Sequence, residues 1–188
     1  SHAFGVRYKN IGIASFGDVS TLSFHATKVF NTIEGGAACF HDADFGKRLY
    51  NLKNFGIRDT ECVDAVGANA KMNEFCAAMG ICNLRHVDEE IEKRKKVAER
   101  YRDNLERVPG IRMNPVQKDV KENYPYFPVV FEENVFGASR NEIMQQLQNN
   151  NIYARKYFYS LTSSFDCFHG KYHPELTPLA LHISKRVL

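Results

Sequence analysis

This sequence has no long apolar run and no excess of charge of one sign. No stretch approaches the roughly 20 apolar residues that a membrane-spanning helix needs, so a membrane protein is not expected. The opening residues Ser1-His2-Ala3-Phe4-Gly5 lack the charged and apolar regions of a signal peptide, which makes the cytoplasm the expected compartment. The formal net charge is only +3, with acidic and basic residues interleaved, and this argues against a nucleic-acid partner. The five cysteines (Cys39, Cys62, Cys76, Cys82 and Cys167) are odd in number and show no CxxC spacing. Neither a disulfide framework nor a metal site is expected from them; reduced thiols packed in the interior are. Internal repeats are lacking too.

What remains is the composition of an ordered globular chain, 44% apolar and 25% charged. Val19 to His25 has β-branched and aromatic character and is expected as a strand, with a second at 35–40 entered through Gly35-Gly36. Asp42 is placed to cap a helix running to about Phe55, where Gly56 stops it. A helix is expected over 70–84, with Met72, Phe75, Cys76 and Met79 on one face. The next, Val87 to Leu105, would bury Val87, Ile91, Ala98, Tyr101 and Leu105 and carry Glu89/Lys93 and Glu92/Lys96 pairs outside. Pro109-Gly110 ends it.

Tyr126 to Phe131 reads as a strand in which Pro128 marks an edge or bulge. Ser139 and Glu142 have capping-box spacing and open a helix to about Gln148. Ile152 to Phe158 reads as a strand, 160–174 as loop, and a last helix runs from Pro178 into the C-terminus. Alternating strands and helices make the class α/β or α+β. The compositional shift at the long charged helix places a domain boundary near Arg85, giving segments 1–84 and 85–188.

One segment carries chemistry. In Ser20-Thr21-Leu22-Ser23-Phe24-His25-Ala26-Thr27-Lys28 a strand end delivers hydroxyls and a lysine to one loop, followed by Glu34-Gly35-Gly36. A lysine whose amine is freed by burial or neighbouring cations forms Schiff bases. A serine hydroxyl and backbone N–H groups beside glycines can hold a phosphate. Spacing alone leaves open a surface lysine beside a tight turn.

Ser1-His2-Ala3-Phe4-Gly5, the Ser23–Lys28 hexapeptide, Glu34-Gly35-Gly36-Ala37 and Gly67-Ala68-Asn69-Ala70-Lys71-Met72 together resemble successive signatures of the DegT-type sugar aminotransferases. The likeness extends to Arg155-Lys156-Tyr157-Phe158-Tyr159. It implies the α/β architecture of fold type I, with 1–84 as the remainder of a large cofactor-binding domain and 85–188 as an incomplete small domain. The implied cofactor is pyridoxal 5'-phosphate (PLP), with Lys28 as the lysine that carries it and acts as the catalytic acid and base. Ser23 matches the serine on the cofactor phosphate, and His2 the position beside the cofactor ring. Asn69 matches an asparagine that serves the neighbouring subunit's site, so a homodimer is implied.

The His-Ala-Thr-Lys and Asn-Ala-Lys-Met variants resemble enzymes that move an amino group from glutamate to C4 of a dTDP-4-keto-6-deoxyhexose, a nucleotide-linked keto-sugar. Action at C3 is the alternative within the fold, and a non-catalytic fragment the alternative in kind. His25, Arg155 and Tyr157 are candidate substrate contacts; plain packing or a backbone hydrogen bond is the competing role for His25, and core packing for the aromatic positions. Three departures stand out. The family's ring-nitrogen aspartate sits three residues before the His2 position, ahead of the first residue here. Lys71 stands where many members have arginine, and Ser160 where proline is usual. The chain therefore reads as roughly the second half of such an enzyme.

Overall fold

The computed structural model describes residues 1–168 and 170–188. The chain divides into two compact units, Ser1–Lys96 with Gln117–Pro125, and Val97–Val116 with Tyr126–Leu188.

In the first unit, β1 (Arg7–Tyr8) pairs antiparallel with β2 (Ile11–Gly12). β3 (Val19–Ser23) pairs antiparallel with β4 (Gly36–Phe40), in register from Val19↔Phe40 to Ser23↔Gly36. The two strands end two and one residues inside the limits expected from composition, because beyond Ser23 the chain leaves the ladder to form a loop. α1 (Ala43–Lys53) starts as expected: the Asp42 carboxylate accepts the Asp44 N–H. It ends shortly before Gly56, whose φ of +78° turns the chain back toward Ala65.

α2 (Glu74–Leu84) begins later than the pattern suggested, since Asn73 caps it by accepting the Cys76 N–H at 2.9 Å. Its buried side is narrower too. Cys76 and Gly80 are buried, whereas Phe75 is 88% exposed and Met72 and Met79 are exposed. Gly80 is required at its position because a Cβ there would lie 2.8 Å from Thr32 Cγ2. α3 (Val87–Leu105) spans the expected range and contributes residues to both units. Of the five residues expected to be buried only Ile91 is; Val87, Ala98 and Leu105 are half-buried and Tyr101 is exposed. Lys93 pairs with Glu89 at 2.8 Å and Glu90 at 2.9 Å.

β5 (Ile111–Met113) belongs to the second unit, and β6 (Val120–Lys121) returns to the first, where it completes an antiparallel sheet in the order β2-β1-β6. β7 (Val129–Phe131) pairs antiparallel with β5 and carries the buried Val129 and Phe131. α4 (Glu133–Phe136) follows and ends at Gly137, φ +85°. α5 (Arg140–Asn149) opens with the expected capping box, in which Ser139 and Glu142 exchange bonds reciprocally. α6 (Pro178–Ser184) closes the unit.

Three expectations fail here. The segment 152–158 forms no strand: Tyr157 instead donates or accepts at Tyr126 Oη, 2.8 Å away, and their rings stand 4.4 Å apart. Strand-forming residue types record a fit to a pleated neighbour, and this segment makes no ladder. The last helix does not run to the end either. It stops at Ser184, and Val187 bridges Val130 while Val129 N–H and Leu188 N–H exchange bonds at 3.0 and 2.9 Å. Between them the 160–174 loop contains short helical turns at Thr162–Ser164 and Asp166–Phe168, and position 169 lies outside the described residues. Nor are the cysteines uniformly interior: Cys76 alone of the five is buried, and Cys82 and Cys167 are exposed. No helix among the described residues is long and apolar enough to cross a membrane.

Candidate functional site

Residues 24–35 leave the β3–β4 ladder and return to it. Phe24 N–H donates to Gly35 O and Thr32 N–H to Phe24 O, both at 2.8 Å, which closes residues 25–31 into a loop. An aromatic plug supports that loop. Phe4 stacks on Phe30 at 4.2 Å between centroids, and Phe24 meets both rings edge-on, at 5.8 Å from Phe4 and 4.9 Å from Phe30. Phe24, Phe30 and Thr32 are all buried, so the loop stands on a fixed base. Lys28 lies inside it, half-buried, its N–H donating to His25 O at 2.9 Å in a tight turn.

Ser23, half-buried, ends β3 immediately before the loop. Its Oγ accepts the His25 N–H at 3.5 Å, a bond that leaves the hydroxyl proton to be donated elsewhere. Gly36, opposite Ser23, has no room for a side chain: a Cβ would lie 2.8 Å from Leu22 O. His25 folds onto its own turn. Its Nδ1 accepts Thr27 N–H at 3.3 Å and lies 3.0 Å from Thr27 Oγ1, which leaves Nε2 as the protonated nitrogen, 3.7 Å from Glu34 Oε1.

The N-terminal residues lie against this loop. Ser23 N–H donates to Ser1 O at 3.1 Å. The His2 imidazole is held below its ordinary pKa by burial first, then by the positive charge of Lys28. Burial and the field of Lys28 both disfavour its charged form. Asn123 fixes this stretch from 121 positions away: its Nδ2 donates to His2 O at 2.7 Å and to Phe4 O at 2.8 Å. Asn123 is 2% exposed. Nothing in the local sequence marks it; a buried amide is recognisable only once its partners are known.

The structure thus brings His2, Ser23, His25 and Lys28 together in the first unit. Asn69 is exposed on a strip laid along the end of α1, where Asn54 and Asn69 form a bridge. Beside it, Lys71 Nζ donates to Asn54 Oδ1 at 2.9 Å and sits 4.7 Å from the Phe55 ring centre. Arg155 and Tyr157 belong to the second unit. Arg155 is exposed with its guanidinium 5.7 Å from the Tyr157 ring centre.

The second unit has an open cleft of about 330 Å³ lined by Arg140, Tyr159, Lys185 and Arg186 among others. Arg140, 4% exposed, donates from one Nη to Ser184 O at 3.1 Å and Val187 O at 2.8 Å, so it joins the start of α5 to the C-terminal turn.

A hydroxyl at the end of β3, a half-buried lysine on the loop that follows and an imidazole from the N-terminal stretch suit Schiff-base chemistry on a phosphorylated aldehyde. The comparisons with known proteins agree with that chemistry. Residues 1–188 match the DegT/DnrJ/EryC1/StrS aminotransferase family. The dTDP-4-amino-4,6-dideoxy-D-glucose transaminase of Shigella dysenteriae is 38% identical over 168 residues, 89% of this chain and 46% of that protein. The Escherichia coli protein of the same name is 36% identical across 100% of this chain and 51% of its own length. Among solved structures, DesI in the presence of its TDP-sugar product superposes with a TM-score of 0.89 at 32% identity, covering 100% of this chain and 47% of that one. The chain spans about half the length of the curated relatives it matches. The α/β, fold-type-I architecture expected from the motifs holds.

Proposed function

Because the chain belongs to the DegT/DnrJ/EryC1/StrS aminotransferase family, we propose that it handles the cofactor and substrate of a nucleotide-sugar transaminase. The amino group passes from glutamate to C4 of a dTDP-linked 4-keto-6-deoxyhexose. C4 is preferred over C3 because the two relatives above carry dTDP-4-amino-4,6-dideoxy-D-glucose in their names. The observation that carries the reading is Lys28 on its buttressed loop, with Ser23 and His2 against it.

The residues present fit PLP. Lys28 supplies the amine, the Ser23 hydroxyl a donor for the phosphate, and the crowding at Gly36 shows a backbone with no side chain between it and the Ser23 end of β3. The cofactor, when bound, supplies an electron sink for carbanion chemistry. Lys28 Nζ then removes the proton from the amino-bearing carbon of the donor. In the second half-reaction it delivers a proton to the sugar carbon that gains nitrogen, a step general catalysis accelerates by about 10²–10⁴-fold. His2 would stand beside the ring, where burial and Lys28 disfavour a second positive charge.

Asn69, exposed on its strip, is assigned to the neighbouring copy's site in a homodimer. Arg155 is assigned to the sugar-nucleotide phosphates, with Tyr157 and His25 to the sugar. Segment 1–84 is assigned to the cofactor-binding domain and 85–188 to the small domain.

An absorbance spectrum with added PLP tests the reading, taken before and after borohydride and followed by peptide mapping. A band near the visible edge that becomes fixed on Lys28 supports it. Label scattered over surface lysines, or no band, removes it.

A further inference from the structure

We propose that Asn123 is a positioning residue for His2, tying the carbonyls of His2 and Phe4 with one side-chain amide so that the imidazole stays beside Lys28. The proposal rests on the cofactor-site reading above and adds to it a residue from a distant part of the chain.

Asn123 follows β6, whose pairing with β1 sets Arg7 against Lys121 and Tyr8 against Val120. Lys9 N–H extends that pairing by donating to Asp119 O at 2.9 Å. The ladder therefore covers residues 7–9 and stops before Gly5. Gly5 has φ +83°, and a Cβ there would lie 2.9 Å from Ile91 Cδ1, so the chain turns sharply between the ladder and His2. A turn of this kind does not transmit the register of β1 to residues 2–4. Val6 N–H closes it onto Ala3 O at 3.0 Å, but that bond joins two residues within the turn. The two bonds of Asn123 supply what the ladder does not, a fixed reference from β6 to the carbonyls of His2 and Phe4.

The chemistry is specific to this side chain. A planar amide has two N–H donors on one nitrogen, and both are used here, on carbonyls two residues apart. Serine has one donor, aspartate none, and glutamine places the amide one carbon farther out. The burial of Asn123 gives these bonds weight, because its amide has no water to turn to if either bond is lost. Phe4 is itself part of the aromatic plug beneath the Lys28 loop. The same amide thus holds His2 on one side and the plug on the other.

The test uses the full chain carrying Asn123→Ser, His2→Ala, or both. Two quantities are read: the PLP dissociation constant by absorbance titration, and the His2 titration midpoint by NMR of the cofactor-free chain. Asn123→Ser is expected to weaken PLP about tenfold, and the double variant to bind no worse than the weaker single variant. The His2 midpoint is expected to rise toward the ordinary 6.5 as the imidazole is released from burial and from Lys28. A double variant that loses the product of the two single losses overturns the proposal. So does an unchanged His2 midpoint in folded Asn123→Ser. If the unaltered chain binds no PLP, the cofactor reading fails and the His2 midpoint alone decides this one. If Asn123→Ser and Asn123→Gln both lack the circular dichroism of the parent, Asn123 determines the fold and the positioning role is withdrawn.

Discussion

Ser23 stands directly across the ladder from Gly36, the last residue of β3 against the first of β4. That pairing brings the serine hydroxyl to the mouth of the Lys28 loop, and it depends on Gly36 having no side chain. A Cβ there would press on Leu22 O at 2.8 Å, tighter than ordinary packing. Gly36→Ala is expected to cost about 1–3 kcal/mol in urea unfolding and to weaken PLP binding. Gly12→Ala is the control, because nothing lies within 4 Å of its Cβ position. Equal effects from the two would show that the close approach does not matter.

Removing the amine while keeping the loop separates binding from covalent attachment. Lys28→Ala should lose the borohydride-fixed label entirely and lower turnover by at least 10²-fold in any form of the enzyme that is active. Peptide mapping and steady-state rates read the two effects. Label persisting at another lysine would move the attachment point elsewhere.

The lowered pKa of His2 has a pH signature. The folded chain resists protonating this imidazole, whereas the unfolded chain takes up the proton near 6.5. Unfolding therefore gains protons as pH falls below that value, and stability drops through the window between 6.5 and the folded midpoint. Above 6.5 the contribution is fully present. Urea midpoints at pH 7.5 and 5.5 should differ less in His2→Gln than in the parent chain.

At the start of α5, Ser139 Oγ accepts the Glu142 N–H at 3.3 Å and Glu142 Oε2 accepts the Ser139 N–H at 2.7 Å. Ser139→Ala should cost about 1 kcal/mol in chemical unfolding. The Ser139 hydroxyl and then its N–H hold the Glu142 carboxyl below the usual 4.5. This contribution is present above 4.5 and is lost as pH falls through the lower folded value, so Glu142→Gln should show a smaller acid loss.

Arg140 reaches the carbonyls of Ser184 and Val187 and stands 4.9 Å from the Tyr159 ring centre. Arg140→Ala strands both carbonyls and is expected to cost about 3 kcal/mol. Arg140→Lys should recover only part of that, since an ammonium lacks the planar fork. A thermal scan that leaves either variant at the parent melting temperature contradicts this account.

Much of the fold was legible along the chain because its signals are local. Asp42 before α1, Ser139 with Glu142 before α5, and the Glu89/Lys93 pair on α3 all act over one turn of helix. The failures came where a neighbour decides. Phe75 has the spacing of a buried residue yet faces outward, because Gly80 and Cys76 meet Thr32 and the interior instead. Tyr153, Tyr157 and Phe158 have strand character, but Tyr157 finds Tyr126 rather than a ladder. The C-terminal residues continue the helical pattern of α6, yet Val187 pairs with Val130 across 57 residues of chain.

The site divides in the same way. By itself the sequence determined that Lys28 and Ser23 share a strand end and its loop, five positions apart, with two glycines to follow. Spacing within one loop is a local property, and the resemblance rests on such spacings. Only the tertiary structure decided that His2 lies in the field of Lys28, that Phe4 and Phe30 support the loop, and that Asn123 holds the N-terminal turn. Those relations join residues up to 121 positions apart, and hydrogen bonds and ring contacts act only at a few ångströms. Chain order carries no record of them until the fold closes the distance.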